Sequence, residues 1–487
     1  MTTEQLDPAT RDLAQSGVEV NGINVIPEAE RRGRPHQLFW PWFGSNVSIL
    51  GLGYGSFALF NGISFWQALI AGVLGIVVSF LLCGFVAIAG KRGSAPTLVL
   101  SRAPFGVNGN RLPSVLSWVL TVGWETVLVI LATLATAHVF DRLGWGGGDG
   151  TKIAAIVVVA LLTVAAGVFG FRLIMRLQVW ITVVTGVLTV AYIIAAADHI
   201  HWDKVSALPS GSGQHFVGTL VLFMTGFGLG WVNAAADYSR YLPRTASSRA
   251  VVFWTAFGGA VAPIVLLVFG LLLAGSSQDL LNAIAGDPIG ALADILPKGF
   301  LVVFIVVAVL GLIGGSVLDI YSSGLSLLAA GVRIPRWAAA LVDGVVMIVG
   351  TVYVVFFQDN FFGPFQGFLI TLGVPIAGWC GIFLADLALR RRDYAEAELF
   401  DARGRYGNVR PWPLALLVAG TAIGWGLVTN TYASWLKWQG YLLDPFGLGG
   451  KTGAWAGAGL GVLAALVIGF AGTLIVDARR IRAQEAA

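Results

Sequence analysis

Of the 487 residues, 56% are hydrophobic and only 11% charged, against roughly 25% charged in a soluble domain. With a mean hydropathy of +0.80, this composition excludes an ordinary water-soluble globular protein. The net charge of +4 and the pI near 9.1 would suit a nucleic-acid binder, but the placement of the basic residues assigns them to membrane topology, and no nucleic acid is expected as a partner.

The first forty residues are polar and lack the short apolar run and small-residue cleavage site of a signal peptide. Apolar blocks follow at 43–62, 65–90, 114–139, 153–170, 177–197, 216–236, 251–274, 299–330, 337–357, 362–389, 411–430 and 453–476. Each is long enough to cross a hydrocarbon layer of ~30 Å. In lipid every backbone group must be satisfied within the segment, so the blocks are read as helices. The expectation is an all-α polytopic membrane protein of about 12 transmembrane helices. The chain divides into an N-terminal segment (1–42), a ten-span core (43–389), a loop (390–410), two further spans (411–476) and a tail (477–487).

With the N-terminus inside, 24 of the 30 basic residues, from Arg11 to Arg482, fall on the inner side. Only Arg142, Lys152, Lys204, Lys298, Lys437 and Lys451 fall outside. This is the positive-inside pattern, and it predicts a multi-pass protein of the cell (plasma) inner membrane with both termini cytoplasmic. Cys83 and Cys380 lie within spans and read as small apolar fillers. The five histidines show no metal-ligand spacing, no phosphate-binding loop is present, and no acid–base constellation is clustered. A metal, a cofactor, ATP-driven transport and an enzyme are therefore not expected.

Two spans carry glycine at alternate positions, Gly51, Gly53 and Gly55 in the first and Gly226, Gly228 and Gly230 in the sixth. Each glycine weakens a helix by ~1 kcal/mol relative to alanine. Close helix packing is one reading. The other is a pair of broken helices, favoured because spans 1 and 6 open two successive sets of five. An odd number of helices per set inverts the second, and matching breaks in inverted halves point to a central transport site. A channel would not need this arrangement.

Ionisable groups within spans mark function by default. Glu125 lies near the middle of span 3, Asp319 in the inner half of span 8, and Asp343 in span 9. Asp237 and Asp386 sit beside arginines at inner span ends and read as interfacial ion pairs. Trp124, Phe227 and Trp231 are aromatics at mid-depth that could stack on a flat heterocycle. Asn46, Ser56, Asn233, Ser316 and Gln366 are uncharged polar groups that could read its edges, although each is singly more common as a helix–helix hydrogen bond.

Four stretches carry a family resemblance. They are Ile26-Pro27-Glu28-Ala29-Glu30-Arg31-Arg32-Gly33-Arg34-Pro35 with Trp42-Phe43-Gly44-Ser45-Asn46; Gly90-Lys91-Arg92-Gly93 with Ser101-Arg102-Ala103-Pro104-Phe105-Gly106 and Leu112-Pro113-Ser114; Ala236-Asp237-Tyr238-Ser239-Arg240-Tyr241-Leu242-Pro243; and Pro375, Gly378 and Asp386 followed by Arg390-Arg391-Arg392-Asp393-Tyr394. Together, over residues 18 to 395, the chain resembles the purine–cytosine permease branch of nucleobase:cation symporter family 1. The resemblance implies a LeuT-type fold of two inverted five-helix repeats plus two C-terminal helices, and alternating-access symport of a nucleobase-like solute with Na⁺ or H⁺. Hydantoin, allantoin, thiamine and pyridoxine are the other cargoes it allows.

In that family a span 3 tryptophan stacks on the base, and Val122-Gly123-Trp124 matches its motif, so Trp124 takes the role. Phe227 or Trp231 would close the sandwich. Gly51, Gly53, Gly55, Ser56, Gly228, Gly230 and Gln366 complete the expected substrate site. Sodium-coupled relatives place two hydroxyl residues in span 8 where this chain has Gly314-Gly315, followed by Ser316. That departure, with the acid Glu125 in span 3, directs the expectation to H⁺, carried by Glu125 or Asp319. Carbonyls of a broken span 1 together with Ser316 keep a Na⁺ site as the alternative.

Overall fold

The computed structural model describes residues 18–358, 362–431 and 433–486. Arg11 and the start of the N-terminal segment lie outside them. Among the described residues all regular structure is helical. The chain enters through α1 (Phe39–Asn46) and α2 (Leu50–Leu59), set in succession. Then come α3 (Phe65–Gly93), α4 (Arg111–Leu143), α5 (Asp149–Phe169) and α6 (Phe171–Ala196). Three pieces, α7 (Gly213–Gly226), α8 (Gly228–Trp231) and α9 (Ala235–Ser239), make one interrupted span. They are followed by α10 (Ser248–Ser276), α11 (Leu301–Ala329), α12 (Arg336–Phe357) and α13 (Phe362–Leu389). The chain closes with α14 (Pro411–Gly426), α15 (Leu460–Val476) and α16 (Ala478–Ala486).

Nine of the described helices are long and apolar enough to cross a membrane, or ten if α15 and α16, bent by 57°, count as one. The remaining expected blocks correspond to the α1/α2 pair and to α14, each piece of which is shorter than 18 residues. Local chemistry sets several ends. Ser64 caps α3 in a capping box with Gln67, Ser212 and Ser247 cap α7 and α10, and Pro411 starts α14, all orphan-donor positions of a helix N-terminus. Gly170, with φ of 79°, turns α5 directly into α6, a conformation that a side chain disfavours.

The arginine-rich loops meet on one face. Glu396 joins Arg31 at 3.1 Å and Arg244 at 2.5 Å, Arg92 pairs with Asp393 at 3.5 Å, and Arg410 holds Asp477 at 2.9 Å. Glu19 accepts from Phe171 N at 2.7 Å, Tyr241 OH at 2.6 Å and Tyr321 OH at 3.1 Å, beside Arg240 and Arg336. On the opposite face His138 pairs with Asp294 at 2.8 Å and Gln67 bonds Gly211. The basic face is thus a single surface. Cys83 and Cys380 are buried and free.

Packing sorts the helices into two groups. α10 lies along α3 and against α1 and α2, while α7 and α9 pack on α3. α11 lies along α4, and both touch α5 and α12. The glycines decide how closely these groups approach. The expected break at Gly51–Gly55 is not there: α2 is continuous through it, and span 1 breaks instead at Val47 (φ −84°, ψ 72°) between α1 and α2. Gly51, Gly53 and Gly55 are packing positions. A Cβ at Gly51 would come 2.8 Å from Leu266 and one at Gly53 3.1 Å from Pro288, while one at Gly55 would overlap the Gly270–Leu271 backbone. Overpacking costs about 1–3 kcal/mol even where side chains can yield, and backbone cannot. Gly55→Leu is therefore expected to cut the yield of monodisperse protein several-fold. Gly213→Leu, where a Cβ meets nothing within 4 Å, is expected to leave the size-exclusion profile unchanged.

Candidate functional site

The sixth span breaks at Phe227 (φ −125°, ψ −114°), inside the glycine stretch. A broken helix frees backbone groups that lipid cannot satisfy, and neighbouring side chains take them up. Tyr54 OH of α2 donates to Gly226 O at 3.3 Å, and Gly228 N donates to Ser79 Oγ of α3 at 3.1 Å. At the span 1 break, Gly51 N bonds Ser48 O at 2.8 Å and Leu50 N bonds Ser48 Oγ at 3.3 Å. Tyr54, in the continuous α2, joins span 1 to the span 6 break: its ring centroid lies 4.6 Å from that of Phe227.

Around the span 6 break stands an aromatic cluster. Trp124 on α4 meets Phe365 of α13 at 5.7 Å and Phe368 at 6.0 Å, both edge-on. Phe365 contacts Tyr54 at 6.3 Å and Phe57 at 6.1 Å, and Phe227 stacks parallel to Phe223 at 6.0 Å. Gly230 lies against the Trp124 indole; a Cβ there would sit 3.2 Å from Nε1. Trp124 and Phe227 therefore share one ring chain through Phe365 and Tyr54. Trp231 belongs elsewhere, edge-on to Trp42 at 5.8 Å. Gln366 is half-buried, between Phe365 and Phe368 in sequence. Ser56 is turned aside, its hydroxyl donating to Leu281 O at 2.7 Å. Behind Phe365 and Phe368 a cavity of about 340 Å³ is lined by Gly123, Thr126 and Val127 of α4. Tyr54, Phe365 and Phe368 were not among the expected site residues; the i, i+3 spacing of the two phenylalanines on one helical face was the available signal.

Adjacent residues on a helix point ~100° apart, and Glu125 accordingly faces away from the cluster. It is fully buried, and neither oxygen has a hydrogen-bond partner. Its acidic neighbours are Asp343 of α12 and Asp319 of α11, with Ser323 close by. Ser323 gives its proton to Asp343 Oδ2 at 2.7 Å, and Trp118 Nε1 donates to Asp343 Oδ1 at 2.6 Å. Asp343 is thus satisfied. Asp319, 1% exposed, has both oxygens without a partner, as Glu125 does. Ser316 is engaged with Thr163 of α5 at 3.0 Å and with Ile313 O at 3.2 Å. Asn233 donates to Ser117 of α4 at 2.8 Å.

The seam between α1 and α11 is tight. A Cβ at Gly314 would come 2.5 Å from Gly44 O, and one at Gly311 2.8 Å from Val47 O. Gln178 of α6 is fully buried in this seam and donates from Nε2 to Gly314 O at 2.7 Å. The amide N–H thus takes up the Gly314 carbonyl, while Gln178 Oε1 lies beside Gly44, buried and without a hydrogen-bond partner. Among the described residues no group of three or more His, Cys, Asp or Glu is arranged to hold a metal ion.

Residues 25–442 match the family described as permease for cytosine/purines, uracil, thiamine, allantoin. YxlA of Bacillus subtilis, provisionally named a purine-cytosine permease, is 28% identical over 409 residues, covering 80% of this chain and 84% of that protein. The purine-cytosine permease FCY2 of Saccharomyces cerevisiae is 22% identical, covering 91% of this chain and 85% of its own. Among solved structures, Mhp1, a nucleobase-cation-symport-1 family transporter with bromovinylhydantoin bound, superposes with a TM-score of 0.68 at 18% identity, covering 96% of this chain and 99% of that one. The fold is therefore that of Mhp1. The chain belongs to the purine–cytosine permease family of nucleobase:cation symporters, and it is a multi-pass membrane permease, not an enzyme.

Proposed function

We propose that the protein imports a nucleobase-like planar heterocycle, a purine or cytosine, by cation-coupled symport with alternating access. The observation that carries this reading is the position of Trp124, which lies against Gly230 in the interrupted sixth span and in one ring chain with Phe227. A flat base could insert between such rings, with the freed backbone at the break available to its edges. The names of the curated relatives agree with this cargo.

In this reading twelve spans form a LeuT-type arrangement: spans 1–5 and 6–10 are inverted repeats, each opened by a broken helix, and α14 and α15 follow. The two packing groups are the moving parts, one containing α1–α3 and α7–α10, the other α4, α5, α11 and α12. The basic face is cytoplasmic and the membrane is the cell's inner membrane. The coupling ion is H⁺, carried by Glu125 or Asp319. What supports this choice is the pair of carboxyl groups on Glu125 and Asp319, whose four oxygens are buried without a hydrogen-bond partner.

A competition panel in a permease-deficient host tests the cargo. Uptake of labelled adenine and cytosine is measured against unlabelled purines, cytosine, hydantoin, allantoin, thiamine and pyridoxine. Saturable uptake blocked by purines or cytosine is expected. Saturable uptake of one of the other four, with no response to purines or cytosine, would move the cargo to that compound.

A further inference from the structure

A second cavity, of about 660 Å³, opens on the basic face, well away from the aromatic cluster. Its walls are the extended segment at residues 18–24, the turn before α4 and the loop joining α11 to α12. Arg102, Arg111, Arg333 and Arg336 line it, with Glu19 as the one carboxylate among the lining residues. Glu19 is already occupied, 3.4 Å from Arg240 and 3.8 Å from Arg336 as well as bonded to two tyrosines. Arg336 spends its remaining donors on Gly167 O and Val168 O.

The other three arginines have no ion pair among the described residues. Basic residues on this face are ordinary for a membrane protein, and Arg111 and Arg333 are exposed; Arg102 is the departure. Arg102 is 6% exposed, donates from Nη1 to Leu399 O at 3.1 Å, and keeps a buried Nε with no partner. Burial and the neighbouring Arg111 push its pKa down to about 10. Arg111 in turn lies across Gly331, where a Cβ would come 3.2 Å from its Nε. That contact brings it to the loop bearing Arg333. Like charges are thus gathered around a space whose one lining carboxylate among the described residues, Glu19, is engaged by Arg240 and Arg336.

We propose that this cavity binds a phosphate ester through Arg102, Arg111 and Arg333. Guanidinium forks match phosphate oxygens in pairs and give the stronger, charge-assisted class of hydrogen bond. The volume lies within the ~300–1,000 Å³ range of small-molecule pockets, so it admits more than an inorganic ion, and Trp337 adds an apolar wall. The ester could arrive as a soluble sugar phosphate or nucleotide, or as the headgroup of an anionic lipid. Either would tie the 18–24 segment to α4 and to the α11–α12 loop.

The test uses full-length protein in phosphatidylcholine nanodiscs, with ribose 5-phosphate as probe, because it lacks a base and does not compete for the transport site. Thermal unfolding is followed by tryptophan fluorescence at constant ionic strength. A second arm replaces part of the lipid with phosphatidylglycerol. A saturable rise in Tm with ribose 5-phosphate identifies a soluble ester, and a rise only with phosphatidylglycerol identifies a lipid headgroup. In either arm Arg111→Gln and Arg333→Gln should each weaken the effect about tenfold, the scale of one charged hydrogen bond. Both side chains are exposed, so their loss is not expected to impair folding. The proposal is overturned if neither ligand raises Tm beyond sodium chloride at equal ionic strength, or if the rise is unchanged in the variants.

Discussion

Trp124→Ala is expected to reduce uptake to background while the protein still reaches the membrane. Stacking on an aromatic side chain contributes ~1–3 kcal/mol per base, so removing the ring should weaken binding by roughly fivefold to over a hundredfold. The side chain is 9% exposed, and truncating a buried tryptophan costs about 3–5 kcal/mol of stability. Loss of uptake alone would therefore be ambiguous. Trp124→Phe separates the two effects: it keeps a stacking face beside Phe365 and Phe368 and should retain partial uptake with a raised KM. Both variants are checked by size-exclusion profile and by saturation curves. Wild-type affinity in a well-folded Trp124→Ala protein would remove the tryptophan from the site.

The second large effect is expected of Glu125→Gln combined with Asp319→Asn. Four carboxyl oxygens on these two residues are buried without a hydrogen-bond partner. Asp343, by contrast, is held by Trp118 and Ser323. The groups facing Glu125 are Asp319 and Ser323 on α11 and Asp343 on α12. Two ionised carboxyls here would repel each other and lack solvation. Loading and unloading a proton as α4 and α11 change their surroundings would be a use for them. The amide variants keep shape and neutrality but cannot exchange a proton. They should lose accumulation driven by a pH gradient, down to the level of the external concentration, while still exchanging substrate across the membrane in counterflow. Undiminished gradient-driven accumulation in the double variant would exclude both residues as the carrier.

Much of the architecture was legible because lipid imposes strong rules. The apolar blocks mark the helices, and arginines far apart in sequence meet on one face through pairs such as Arg31–Glu396 and Arg410–Asp477, while Arg142, expected outside, pairs with Asp294 on the other. The break in span 6 falls within its glycine stretch, at Phe227. The break in span 1 does not, because alternating glycine serves a close helix crossing as well as an unwound turn. The partner that decides between them, Gly270 of α10 against Gly55, is over two hundred residues away in sequence. The same limit applied to the span 6 aromatics. Four residues separate Phe227 from Trp231, and only the positions of Tyr54 and Trp42 assign one to the Trp124 ring chain and the other away from it. Gln178 was invisible for a related reason. A single amide in an apolar span reads as a helix–helix hydrogen bond, and its interest comes only from accepting partner Gly314, which the sequence cannot name.

The most direct test of proton-coupled import is uptake into proteoliposomes containing the purified protein, with an imposed pH gradient, in the presence and absence of Na⁺. The account predicts accumulation of a purine or cytosine above the external concentration when the outside is acidic, equal with and without Na⁺, and abolished by a protonophore. Uptake that requires Na⁺ and ignores the proton gradient would contradict it, and would turn attention from Glu125 and Asp319 to the carbonyls around Val47 and Ser316.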